Sequence, residues 1–204
     1  MRLLVDVSGL LHRSAYKLKL TNRDGQNTGA VFGTMKSLGA LVDIYQPSEM
    51  VICWDGGHTQ RDTLYPDYKA NRKRDPEEVA DLDRQKTVLR GMLNCLPVTQ
   101  VRAPGCAADD RIAVLAKFMP LEEVGIVTTD HDLYCLANKR CIIIAPDGKR
   151  TKLEMEPHQY LAYKVLVGDS SDNVKGVAKL GDKRVTALLK EHRTLERIMA
   201  DIGQ

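Results

Sequence analysis

Eight aspartates stand where apolar runs stop or turn. Asp6 follows Leu3-Leu4-Val5, Asp55 follows Val51-Ile52-Cys53-Trp54, and Asp130 and Asp132 follow Ile126-Val127. Asp169 and Asp172 follow Val165-Leu166-Val167, and Asp109-Asp110 form an adjacent pair. Short apolar runs read as buried strands, and the carboxyl edge of a parallel sheet is where α/β proteins gather their sites. Carboxylates crowded into one cleft repel one another unless a cation intervenes. Hard divalent cations take oxygen donors, and Mg²⁺ in such a setting serves phosphate chemistry. A lone Asp at a strand end more often caps a helix. Asp130 alone reads that way, and Asp75 and Asp147 are fully explained as a cap and a turn. The joint pattern has no such local explanation.

Strands are expected at 3–7, 50–54, 98–101, 125–128 and 141–145, with 151–155 pairing back on the last. Helices are expected between them. One is capped by Ser8 and runs through Leu10, Leu11 and Tyr16. A second is capped by Thr28, with Val31, Met35, Leu38, Leu41, Val42 and Tyr45 on one face. Asp75-Pro76-Glu77-Glu78 opens a third, carrying Val79, Leu82, Val88, Leu89 and Met92. Further helices are expected at 107–118 and 130–137. Strand–helix alternation implies a mostly parallel sheet with right-handed crossovers. From Pro157 onward the pattern is only helical, which places a domain boundary there: residues 1–156, then 157–204.

The chain has 204 residues, 43% of them hydrophobic, enough for one main domain and a small appendage. No apolar run approaches a membrane span, and Met1-Arg2-Leu3-Leu4-Val5-Asp6 is too short for a signal core. A soluble, cytoplasmic monomer is expected. The five cysteines, Cys53, Cys95, Cys106, Cys135 and Cys141, form no CxxC pair and read as reduced, mostly buried thiols. The net charge of +3 hides a segregation, with acids at strand ends and bases at 69–74 and 175–197. Solvated faces would explain the basic runs taken alone. Beside an acidic site they suit a polyanion.

Longer strings carry a resemblance. Leu4-Val5-Asp6-Val7-Ser8-Gly9-Leu10-Leu11-His12-Arg13, Trp54-Asp55, Arg61 with Tyr65-Pro66-Asp67-Tyr68-Lys69-Ala70-Asn71-Arg72, Ala107-Ala108-Asp109-Asp110 and Thr128-Thr129-Asp130-His131-Asp132-Leu133 occur in order. Leu166-Val167-Gly168-Asp169-Ser170-Ser171-Asp172-Asn173-Val174-Lys175-Gly176-Val177 completes the set. Together they resemble the structure-specific 5′ nucleases: phage flap endonucleases, 5′→3′ exonucleases and the 5′-nuclease domain of bacterial DNA polymerase I.

The resemblance implies a PIN-like α/β core, a helical arch over residues 61–95 and a C-terminal helix–hairpin–helix region. It implies two divalent ions, Mg²⁺ or Mn²⁺. Asp6, Asp55, Asp109 and Asp110 would hold one, and Asp130, Asp132, Asp169 and Asp172 the other. Lys69 and Arg72 would reach the phosphate being cut. Arg13, Tyr68 and Lys73 would add grip on DNA, though Arg13 is equally well an ordinary surface charge. Gly176, Gly181 and Lys183 lie in the hairpin region, where the glycines would permit a tight turn, and hairpin carbonyls in relatives bind K⁺. Lys179 stands where the family often has a third Gly. Implied substrates are DNA with a 5′ flap or 5′ end, or an RNA–DNA hybrid in primer removal during replication. A small PIN-like RNase is the rival enzyme, which the 169–183 segment argues against. The length is compatible with a phage protein acting in host cytoplasm.

One position departs from the pattern. The family has Glu-Ala-Asp-Asp, and this chain has Ala107-Ala108-Asp109-Asp110. Weakened metal binding with reduced activity is expected. The alternative is a structure-specific DNA-binding protein that no longer cuts.

Overall fold

The computed structural model describes residues 1–57, 60–73, 75–119 and 123–202. Five strands form one sheet: β1 (Arg2–Asp6), β2 (Glu49–Cys53), β3 (Thr99–Val101), β4 (Val124–Val127) and β5 (Cys141–Ile144). Their order is β3-β2-β1-β4-β5, and every pairing is parallel. The order reverses between β1 and β4, so a crevice opens at their carboxyl ends. Segment 151–155 forms no strand. Only an Ile144–Arg150 bridge and a Thr151 amide bond to the Ile143 carbonyl fold back on β5.

Both faces of the sheet are covered, which is why the strands are apolar runs rather than alternating ones. Leu3 and Val5 point into one core with Ile52, Leu41 and Leu89. Leu4 points into the other with Val51, Ile112 and Ile143. Helices α1 (Val7–Lys17), α2 (Gly29–Tyr45) and α4 (Pro76–Leu93) supply residues to the first core. Helix α5 (Ala108–Phe118) supplies the second, and the short α3 (Gln60–Leu64) stands between β2 and α4 in the chain. Val42, Val88 and Met92, expected inward, are 47%, 45% and 43% exposed. On α4 the inward face is instead Gln85, Leu89 and Leu93, all buried.

Two helix starts differ from expectation. Asp6, not Ser8, caps α1, its carboxylate accepting the Gly9 amide at 3.0 Å. Thr28 precedes α2 without a side-chain cap bond. The amides of Ala30 and Val31 donate instead to Gln85 Oε1, at 2.9 and 3.3 Å. A buried glutamine on α4 thus satisfies the start of α2 and ties the two helices together. Asp75 caps α4 as expected, accepting the Glu77 amide.

Beyond the sheet, α6 (Gln159–Val167), α7 (Asp182–His192) and α8 (Leu195–Ile202) share a small core of Ala162, Leu166, Val185, Leu189 and Ile198. Val165-Leu166-Val167 is therefore the last turn of a helix, not a strand. A two-residue antiparallel pair, β6 (Gly168–Asp169) with β7 (Val174–Lys175), interrupts the helical pattern. The hairpin region also needs its glycines differently. Gly176 permits close approach, because a Cβ there would collide with the Val167 carbonyl. Gly181 has ordinary geometry, and the left-handed residue is Lys179, at φ 67°. All five cysteines are free. Cys53 and Cys141 are buried, but Cys95 and Cys135 are exposed, being on a helix end and a short 3₁₀ turn rather than in a strand.

Candidate metal centre and nucleic-acid cleft

The crevice at β1 and β4 is a cleft of about 590 Å³. Asp6, Asp109, Asp130, Asp132, Asp169 and Asp172 line it, with Arg61, Tyr68, Lys69, Arg72 and Lys164. Asp6 ends β1. Its second oxygen accepts the Thr128 hydroxyl at 3.3 Å. Burial, with Asp55 and Asp130 nearby, raises its carboxyl to about 6. Asp55 stands just outside the lining, its carboxylate accepting the Ala108 amide at 2.9 Å. That bond places the first turn of α5, and with it Asp109 and Asp110, beside the strand ends.

Arg61 binds this pair. Its Nη2 lies 2.5 Å from Asp110 Oδ1 and 3.7 Å from Asp109 Oδ2. Burial raises the Asp109 carboxyl, with Arg61 opposing. Burial likewise raises Asp130, which both caps the 3₁₀ turn 131–136 and faces the cleft. Asp130 thus caps the turn and lines the cleft at once.

Ligand oxygens of Asp132, Asp169 and Asp172 lie within 4.8 Å of one another. Lys164 Nζ sits between two of them, 2.8 Å from Asp132 and 2.6 Å from Asp169. Partial burial opposes its charge, but the two carboxylates raise its pKa. For Asp169, burial acts upward, yet Lys164 and Ser171 hold it down at about 2. Sequence reasoning does not single out Lys164; the available signal is a lone base in the apolar stretch 161–167, one turn and a residue before Asp169.

Segment 65–72 is fastened to the loop that carries this trio. Arg72 Nη2 meets Asp172 at 2.8 Å and its Nε donates to the Ser171 carbonyl. Asn71 donates to the Ser170 carbonyl, Tyr65 to the Asn173 carbonyl, and Asn173 back to the Asp67 carbonyl. Lys69 is left-handed at φ 59°, its amide bonds the Asp172 carbonyl, and its ammonium lies 3.7 Å from Asp172 and 4.4 Å from the Tyr68 ring. Non-glycine residues hold such backbones at a cost, and they cluster at working sites. Arg13, Lys73, Gly176, Gly181 and Lys183 stand outside the cleft lining among the described residues. Arg74 lies outside the described residues.

Comparison with known proteins follows the same lines. Residues 1–164 match the family described as 5′-3′ exonuclease, N-terminal resolvase-like domain. The chain belongs to the 5′-3′ exonuclease family. Residues 155–204 match that family's C-terminal SAM fold. The chain is 36% identical to thermostable DNA polymerase I of Thermus thermophilus, over 99% of its own length and 25% of the polymerase. It is 33% identical to the 5′-3′ exonuclease of Bacillus subtilis, over 98% of this chain and 73% of that one. The chain thus spans a quarter of the length of its polymerase relatives. A structure of T5 5′-exonuclease with bound zinc superposes with a TM-score of 0.80 at 21% identity, covering 100% of this chain and 80% of that one. That likeness is one of fold, an α/β PIN-like sheet with a small helical C-terminal region.

Proposed function

We propose that this chain hydrolyses phosphodiesters near the 5′ ends of branched or nicked DNA, using divalent metal ions. The observation that carries this is one cleft at the sheet edge lined by six aspartates, with Asp55 and Asp110 beside it, and by the basic and aromatic residues Arg61, Tyr68, Lys69 and Arg72. The donors fit hard cations. They are all carboxylates, three of them within reach of one ion, and burial disfavours the charge on Asp6, Asp109 and Asp130. Asp6, Asp55, Asp109 and Asp110 would hold one ion, and Asp130, Asp132, Asp169 and Asp172 a second, Mg²⁺ or Mn²⁺. When bound, such ions lower the pKa of water and stabilise charge on a phosphoryl group under attack.

The chain's own side chains prepare that chemistry. Arg61 holds Asp109 and Asp110 in place, and Lys164 does so for Asp132 and Asp169. Lys69 and Arg72, now on Asp172, would turn to the phosphate being cut. Tyr68 would stack on an unpaired base while Lys73 and Arg13 neutralise backbone. The hairpin region, with Gly176, Gly181, Lys183 and a K⁺ ion, would hold duplex without reading sequence. Ala107, which offers no side-chain oxygen at the start of α5, would weaken the first ion and slow the reaction. RNA-primer removal belongs to the same reading.

The test is an end-labelled 5′-flap DNA incubated with Mg²⁺, Mn²⁺ or EDTA, beside a binding assay on the same DNA. Metal-dependent release of short 5′ products is expected. Tight, salt-sensitive binding with no cutting in either metal would establish the binding protein instead.

A further inference from the structure

We propose that Lys69 and Arg72 are stand-in cations of the second carboxylate cluster, so that DNA must draw them off Asp172 before a divalent ion binds there at full strength. This rests on the metal-site reading above and concerns how that same site is regulated.

Asp132, Asp169 and Asp172, whose oxygens are spaced for one ion, already carry basic side chains of the chain itself. Arg72 Nη2 lies 2.8 Å and Lys69 Nζ 3.7 Å from Asp172 Oδ1. Lys164 Nζ lies 2.8 Å from Asp132 and 2.6 Å from Asp169. An ion entering there meets ammonium and guanidinium groups on its own donors. Like charges at that range repel, and the repulsion is stronger away from bulk water. The bases are held differently, however. Lys164 stands on α6 and spans two acids. Lys69 and Arg72 stand on segment 65–72, whose fastening is largely independent of their charged tips. Asn71 donates to the Ser170 carbonyl at 2.7 Å, and Tyr65 to the Asn173 carbonyl at 3.1 Å. Asn173 donates to the Asp67 carbonyl at 2.9 Å, and the Lys69 amide to the Asp172 carbonyl at 3.1 Å. All four acceptors are main-chain carbonyls, so an ion on the Asp172 carboxylate competes with none of them.

The two tips can therefore leave Asp172 while the segment keeps its place on the loop 170–173. Only the Arg72 Nε bond to the Ser171 carbonyl goes with them. Both side chains are 36% exposed, so their pairs with Asp172 are weakened by solvent and open to exchange. A phosphodiester is a competing anion, and a guanidinium can bind it through two parallel bonds. DNA that takes up Lys69 and Arg72 uncovers Asp172 for the ion. By linkage, an ion on Asp172 frees both bases for DNA to the same degree. The second ion thus loads with the substrate rather than ahead of it.

The experiment titrates the full chain, K69Q/R72Q and D169N with Mg²⁺ and with Ca²⁺ by calorimetry. Ca²⁺, which takes the same oxygen donors, is also titrated with saturating 5′-flap DNA, checked on a gel afterwards. The binding event lost in D169N reports this cluster. Without DNA, that event should be about fivefold tighter or more in K69Q/R72Q than in the parent. Adding DNA should tighten it by a similar factor in the parent and leave it unchanged in K69Q/R72Q. In EDTA, where no ion takes part, R72Q should lower Tm in the parent but not in a D172N background. A merely structural role for Arg72 would not tighten metal binding when the side chain is removed. Equal or weaker affinity in folded K69Q/R72Q, a DNA effect that persists in it, or no coupling of Arg72 to Asp172 in EDTA would each overturn the proposal while the metal reading stands. Failure of every protein, the parent included, to bind either metal would overturn both.

Discussion

Arg72 Nη2 lies 2.8 Å from Asp172 Oδ1, joining the basic segment to the acid trio. The pair is partly exposed, so it is weak enough to exchange for another anion. R72Q is expected to weaken 5′-flap DNA binding at every sequence and to reduce by about one the ions released. Dissociation constants across a salt series measure both; an unchanged salt slope would remove Arg72 from the DNA contact.

Lys164 keeps Asp132 and Asp169 from repelling each other. K164M should destabilise the metal-free protein by about 1–3 kcal/mol, discounted for partial exposure. Added Mg²⁺ should recover more stability in K164M than in the parent. Melting curves with EDTA and with Mg²⁺ decide this, and equal shifts in both proteins would count against it.

Asp6 and Asp169 move in opposite directions and so act in separate pH windows. The Asp6 carboxyl, raised from 3.8 to about 6, holds a proton in the folded state that the unfolded chain has lost. Its contribution to stability in EDTA therefore falls as pH rises from about 4 to 6. Asp169, lowered to about 2, contributes stability above pH 4 that is lost as pH falls toward 2. Chemical denaturation at pH 4, 5, 6 and 7 should show a decline that D6N flattens. A slope unchanged by D6N would assign the decline to other acids.

Lys179 occupies a left-handed backbone at φ 67°. Glycine has no Cβ penalty there, so K179G should stabilise the chain by roughly 0.5–1 kcal/mol despite its greater unfolded freedom. Urea denaturation measures the gain, and a loss would show that the Lys179 side chain has contacts outweighing the strain.

The strand-end acids are legible because parallel strands terminate at one edge whatever their spacing in sequence. Asp55 and Asp6 illustrate this, standing together although far apart in the chain. Relationships with no local period are not legible. Gln85 caps a helix over fifty residues away, and nothing in the pattern Val79–Met92 singles it out. Val165-Leu166-Val167 has the composition of a buried strand, yet it closes a helix, as the pattern after Pro157 implies, with Leu166 in a core shared with Val185 and Leu189. Lys179 stands out in sequence for its missing glycine, yet the turn's strain falls on that position rather than on Gly181.

The central place of β1 in the sheet has a consequence for synthesis. Arg2 pairs with Glu49 on one side and with Val124 on the other, and the acids of the cleft run from Asp6 to Asp172. A nascent chain therefore carries Asp6 out of the ribosome early and Asp172 only much later. Contacts of such long range form late and slowly. A partly made molecule therefore lacks the complete carboxylate cleft.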